Sequence, residues 1–202
     1  MPIAIVRLAE RSLMTKFGVW REVLYYDGTA ESMALIYGDV AGREAVACRV
    51  HSACISAHVF NSIECDCREQ MAISQAIIQD RGCGVVIWLD QEGRGNGHFA
   101  LMLAARLAAE QAISQTQAYL RLGYRDDRRR YEQATAILHD LGVGSVRLLT
   151  NSPGKASALA EGGVEIIGVL PVAVDLARYP QLREYYEDKI TQGHRLDTPH
   201  GS

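Results

Sequence analysis

This sequence lacks a long apolar run, a strong charge of one sign and an even set of cysteines. Each absence removes a class of protein. No stretch approaches the roughly 20 apolar residues that span a bilayer. The opening, Met1-Pro2-Ile3-Ala4-Ile5-Val6-Arg7, lacks the basic segment and long apolar stretch of a signal peptide, so a cytoplasmic location is expected. A net charge of -3 over 202 residues gives no overall pull toward nucleic acid or an anionic membrane. Any polyanion must therefore be met by a local basic cluster. Five cysteines, an odd number with no export signal, argue against a disulfide framework and for reduced thiols or a metal site. No internal repeat, low-complexity tract or linker is present. With 48% hydrophobic and 22% charged residues, what remains is a soluble globular chain the size of one large domain, or of two small ones sharing a core.

The first quarter reads as strands. Phe17 to Tyr26 is rich in aromatic and β-branched residues and ends in the turn Asp27-Gly28; Met33 to Tyr37 and Ala45 to Val50 are similar. The pattern then changes. Gln70 to Gln79 places apolar residues at near-helical spacing, and Gly84 to Leu89 fits a buried strand. Phe99 to Ala112, rich in Ala and Leu, predicts a helix, as does Tyr131 to Leu141 with Gly142 as its C-cap. Ser145 to Leu149 is a strand, Lys155 to Glu161 a short helix, and Val164 to Leu170 a further strand. The expected fold is mixed α/β: a strand-rich N-terminal part followed by alternating strands and helices around a mixed sheet.

Cys54, Cys65 and Cys67 carry the strongest chemical signal. Three thiolates hold zinc and leave a fourth tetrahedral position for water, as in a catalytic site. His58 is an alternative fourth ligand that would close the site and make it structural, and buried free thiols are the plainer alternative. Cys48 and Cys83 lie in apolar runs and read as packing. Asp90-Gln91-Glu92-Gly93-Arg94-Gly95-Asn96-Gly97 sits between a predicted strand and a predicted helix, where glycines let backbone amides approach an anion. Alone it is also an ordinary glycine-rich turn. Arg125-Asp126-Asp127-Arg128-Arg129-Arg130 offers four guanidinium groups to a polyphosphate, or a self-paired surface. Thr150-Asn151-Ser152-Pro153-Gly154-Lys155 leaves a strand and enters a helix, suiting an anion, a base edge or a plain capped loop.

Taken in order, these segments resemble the GTP cyclohydrolase II family. The matching residues are Arg49-Val50-His51-Ser52, Cys54, Cys65-Asp66-Cys67, Gln70, Gln91-Glu92-Gly93-Arg94, Leu122-Gly123-Tyr124, Asp127, Arg129, Leu148-Leu149-Thr150-Asn151 and Lys155. The resemblance implies a homodimeric enzyme of riboflavin biosynthesis, dependent on zinc and magnesium, that opens the imidazole ring of GTP at C8. Pyrophosphate and formate would leave, giving a diamino-ribosylamino-pyrimidinone 5'-phosphate. It further implies one zinc per chain on Cys54, Cys65 and Cys67, with magnesium on the triphosphate. Arg49, Val50, His51, Ser52, Gln70, Glu92, Gly93, Arg94, Thr150 and Lys155 would bind the nucleotide. Asp127 would be the proton acceptor, and Arg129 the nucleophile toward the α-phosphate. Residues 1–180 would form one domain, with 181–202 a polar, partly disordered tail.

The chain departs from the family at four positions. Ala105 stands where a catalytic tyrosine is expected, Ala53 for a glutamate, Asp90 for an arginine and Arg130 for an aspartate. Tyr119 or Tyr124 is a candidate substitute for the missing hydroxyl. Two alternatives follow: an enzyme that stops at the ring-opened formylamino-pyrimidine, and a zinc-containing nucleotide-binding pseudoenzyme.

Overall fold

Strands form where β-branched and aromatic residues run together, and they meet in one seven-stranded sheet. The computed structural model describes residues 3–194 and 196. The strands are β1 Val6–Thr15, β2 Gly18–Tyr26, β3 Glu31–Tyr37, β4 Val46–Ser52, β5 Gly84–Leu89, β6 Ser145–Leu149 and β7 Glu165–Leu170, in the order β1-β2-β3-β5-β4-β6-β7. β1, β2, β3 and β5 pair antiparallel, whereas β5, β4, β6 and β7 run parallel. The mixed α/β expectation therefore holds. The β2–β3 turn is fixed by Asp27, whose Oδ1 accepts from the amides of Thr29 and Ala30 at 2.8 Å each, while Gly28 takes a φ of +93°.

Parallel strands need crossovers, and helices supply them. The helices are α1 Ile55–His58, α2 Cys67–Asp80, α3 His98–Gln111, α4 Gln115–Arg121, α5 Glu132–Asp140, α6 Pro153–Glu161 and α7 Arg183–Thr191. One face of the sheet packs Val23, Ile36, Val50 and Ile87 against Ile137 and Leu138 of α5 and Leu159 of α6. The other packs Trp20, Val86 and Leu149 against Ile78 of α2. β4 and β5 are buried on both faces; β5 accordingly reads as a continuous apolar run, whereas β4 buries Arg49 and His51 among its apolar residues. Cys48 lies wholly in this core, its thiol pushed up to about 12 by burial, whereas Cys83 is only half-buried.

Three elements depart from the expectations. β1 is exposed along most of its length, so it carries Arg7, Glu10 and Arg11 rather than an apolar pattern. α4 packs Ala118 and Tyr119 on Ala100 and Ala104 of α3, in a small core of its own. The expected polar tail from residue 181 is corrected in its first part: Pro180–Leu182 is a 3-10 turn and Arg183–Thr191 a helix, with Leu182 and Tyr186 buried. Of the rest of that segment, residues 195 and 197–202 lie outside the described residues. No described helix is long and apolar enough to cross a membrane.

This topology positions the site. β4, β5 and β6 are adjacent and parallel, so the segments leaving their C-terminal ends converge. Ligands bind at such ends in α/β sheets.

Candidate active site

Cys54 follows β4, and Cys65 and Cys67 flank the N-cap of α2. Their sulfur atoms lie within 4.8 Å of one another, with Cys54 and Cys65 3.7 Å apart. Tetrahedral zinc with Zn–S near 2.3 Å requires sulfurs about 3.8 Å apart, so the donor set and its spacing fit that metal. The hydrogen bond with Cys54, then burial, pushes the Cys65 thiol up to about 12 against the opposing effect of Cys67. Three crowded thiols ionise together only with a cation among them. Neither ring nitrogen of His58 falls within this group, and its Nδ1 lies 2.8 Å from the Cys54 carbonyl oxygen. Among the described residues the group has three members, one fewer than a closed tetrahedral site requires.

The thiols line a cleft of ≈ 1210 Å³ whose other wall is cationic. Arg49, on β4, is buried and donates Nη1 to the Leu149 carbonyl at 2.9 Å and Nη2 to Gln70 Oε1. Lys155, on α6, is also buried; its ammonium donates to the Val50 carbonyl at 2.8 Å. Burial first, then Arg49 and Arg129, hold the Lys155 amine well below its usual value. The same two influences, burial and Arg49, hold His51 well below 6.5 and therefore neutral at pH 7. Arginine can only donate, so the 3.4 Å contact from Arg49 makes His51 Nδ1 an acceptor and places the proton on Nε2. That Nε2 is buried without a partner in the structure. The buried Arg49 guanidinium, the Lys155 amine and an unused His51 donor thus line one wall of the cleft, an arrangement suited to an anion.

The glycine-rich loop after β5 forms the third wall. Glu92 turns back on its neighbours: Oε2 accepts from Ile55 N–H, beside Cys54, at 2.7 Å, and Oε1 accepts from Gly93 N–H at 3.4 Å. Gly93, Arg94, Gly95 and Gly97 all have positive φ. The coil lets the Arg94 carbonyl accept from Arg128 N–H at 2.8 Å, while Arg94 Nη1 donates to the Thr116 hydroxyl at 2.8 Å. A Cβ on Gly95 would stand 2.8 Å from the Arg128 carbonyl carbon, whereas one on Gly28 meets nothing within 4 Å. Both have positive φ, so the pair isolates the close approach. Gly95→Ala is expected to destabilise by roughly 1–3 kcal/mol more than Gly28→Ala, read from denaturant midpoints.

Residues 6–171 match the family described as GTP cyclohydrolase II. The chain belongs to that family. GTP cyclohydrolase-2 of Actinobacillus succinogenes is 35% identical over 177 residues, covering 87% of this chain and 81% of that protein. Riboflavin biosynthesis protein RibBA of Bacillus cereus is 35% identical over 196 residues, 96% of this chain and 49% of that protein. RibBA of Cytophaga hutchinsonii is 38% identical over 165 residues, 81% of this chain and 40% of that protein. The chain thus spans about half the length of the RibBA relatives or less.

Of the metal, substrate and catalytic residues that the GTP cyclohydrolase II resemblance implies, the cleft gathers Arg49, His51, Ser52, Cys54, Cys65, Cys67, Gln70, Glu92, Gly93, Arg94, Asp127, Arg129, Thr150 and Lys155. Val50 is the exception. Its side chain packs in the core, and only its carbonyl meets the site, through Lys155. Gln70 has both amide atoms engaged, with Arg49 and Asp66, so it acts by orienting them. Asp127 and Arg129 form a forked ion pair, Arg129 Nε lying 3.0 Å from both carboxylate oxygens. Burial pushes the Asp127 carboxyl up, and the hydrogen bond and charge of Arg129 more than reverse it.

Two of the four departures from the family face the cleft. Ala53 lines it, and so does Ala105, while Ala104 is buried under α4 and Arg106 pairs with Glu110 on the exposed side. Asp90 is exposed and Arg130 pairs with Glu132, both outside. Tyr119 does enter the cleft wall, its hydroxyl buried without a partner, with Tyr124 packed edge-on at 6.4 Å. Sequence reasoning missed His98, Tyr185, Lys189, Gln192 and His194, which also line it. The only signal for Tyr185, Lys189 and Gln192 was a shared helical face in a segment read as tail.

Proposed function

We propose that this protein is a zinc-dependent hydrolase that opens the imidazole ring of GTP at C8 and releases pyrophosphate and formate. The convergence of three thiols and the buried cations Arg49 and Lys155 in one cleft carries this reading. Bound at Cys54, Cys65 and Cys67, zinc supplies an open coordination position and activates water near neutral pH. Lys155 and Arg129, with magnesium, neutralise the triphosphate, for which Arg129 has a forked guanidinium. His51 offers its Nε2 proton to an acceptor on the substrate. Asp127 is the acceptor already bonded to Arg129. Any nucleophilic role of Arg129 toward the α-phosphate therefore requires Asp127 to take its proton. Arg94 and Thr150 complete the nucleotide's surroundings, and Glu92 holds the loop that carries Cys54. Phe60 and Met102 border the cleft with 71% and 61% of their surface exposed, which supports a homodimer that sedimentation would test.

A second reading has its own observation. Ala105 faces the cleft without a hydroxyl, and a positioned proton donor or acceptor is worth roughly 10²- to 10⁴-fold in a proton-transfer step. Loss of formate from the ring-opened formamide is then the impaired step. Purified protein given GTP, zinc and magnesium separates the readings when pyrophosphate and formate are assayed independently and the product is weighed by mass spectrometry. Equal release supports the full reaction; pyrophosphate without formate supports arrest, and Ala105→Tyr is then expected to raise formate release. Neither product defeats both readings and leaves a nucleotide-binding pseudoenzyme.

A further inference from the structure

Asp66 lies between two of the three thiols and is fully buried. A carboxylate in that position requires donors on both oxygens. Gln70, one turn along α2, donates Nε2 to Oδ2 at 2.6 Å. The other donors arrive from α7, 120 and 123 residues later: the Tyr186 hydroxyl donates to Oδ2 at 2.9 Å and the Lys189 ammonium to Oδ1 at 3.0 Å. This ion pair is nearly dry, with side-chain exposures of 15% for Lys189 and 1% for Asp66. Lys189 is also held over the Tyr185 ring, 4.2 Å from its centroid.

The helix has two working faces. Leu182 and Tyr186 pack with Val174 and Leu196, whereas Tyr185, Lys189 and Gln192 line the cleft. The family match ends at residue 171, so α7 lies beyond it. We propose that α7 is a positioning element for the metal centre. Tyr186 and Lys189 grip Asp66, and through it hold the Cys65-Asp66-Cys67 turn so that its thiols converge with Cys54. This rests on the metal reading above.

The test is zinc affinity of the full chain, measured by competition with a chromogenic chelator. Residues that orient ligands are worth about 10- to 100-fold in metal affinity, and that loss is expected for Tyr186→Phe combined with Lys189→Met. Lys189→Arg restores the charge and is expected to recover most of it. Glu187→Ala, at an exposed position of the same helix, leaves it unchanged. Should the double variant not fold, Lys189→Met alone serves, because its side chain faces the cleft. Thermal unfolding of the metal-free proteins is followed in parallel. Lower metal-free stability with unaltered zinc affinity makes α7 a mere cover and overturns the proposal. A wild-type chain that takes up no zinc removes the metal reading and this inference with it.

Discussion

Cys65→Ser is expected to abolish zinc binding and GTP ring opening together. A serine hydroxyl stays protonated at neutral pH, so the variant offers two thiolates where the geometry supplies three. Metal analysis is expected to fall from about one zinc per chain to a small fraction, with both pyrophosphate and formate lost from the assay. Cys48→Ser makes the same chemical change in the core of the sheet, away from the cleft. It is expected to lower stability, by roughly 1–3 kcal/mol for a polar group buried without a partner, and to leave zinc content intact. Undiminished turnover in Cys65→Ser would remove zinc from the reaction.

Lys155→Met is expected to move stability and binding in opposite directions. The Lys155 amine is held well below its usual value by burial, then by Arg49 and Arg129, so the folded state disfavours its charge. The sign follows from linkage. The unfolded chain binds the proton more tightly, and this group's contribution to stability rises with pH between its lowered value and the ordinary 10.5. At pH 7 the group is a liability in the free protein, which a bound triphosphate would offset. Methionine has similar length and no charge. Its introduction is expected to stabilise by about 0.5–2 kcal/mol, as replacement of strained functional residues commonly does. Loss of a charge-assisted contact is expected to weaken nucleotide binding about 10- to 100-fold. Calorimetric unfolding and nucleotide titration of one preparation check both arms; a variant less stable and equally tight in binding would contradict the reading of Lys155.

Much of the sheet was legible because strands such as β5 are buried on both faces and so are written in valine, isoleucine and leucine. β1 was not, since an exposed edge strand draws its stability from cross-strand pairs such as Arg11 with Glu22, which leave no periodic apolar trace. The cysteines and the loops after β4, β5 and β6 were visible as motifs, because their chemistry needs particular residue types. Other features came only from packing. Nothing in the sequence shows that Glu92 binds backbone amides, or that Val50 turns into the core. The side of α3 that Ala105 occupies is likewise fixed by α4 packing over Ala104. α7 was missed for a related reason. Arg183-Glu184-Tyr185-Tyr186-Glu187-Asp188-Lys189 is polar in composition, and the buried Tyr186 and half-buried Lys189 meet Asp66 at 120 and 123 residues' distance in sequence.

That distance has a consequence in time. Asp66 and Lys189 are separated by 123 residues, and synthesis at about 5–20 residues per second inserts roughly 6–25 s between them. Every strand of the sheet is made within that interval or before it, so the scaffold is complete while the helix that grips Asp66 is still being translated. On the metal reading, an ion captured by the thiols before that helix docks would be held without Tyr186 and Lys189 on Asp66. Selection of that ion would then be completed only when α7, the last helix among the described residues, closes on Asp66.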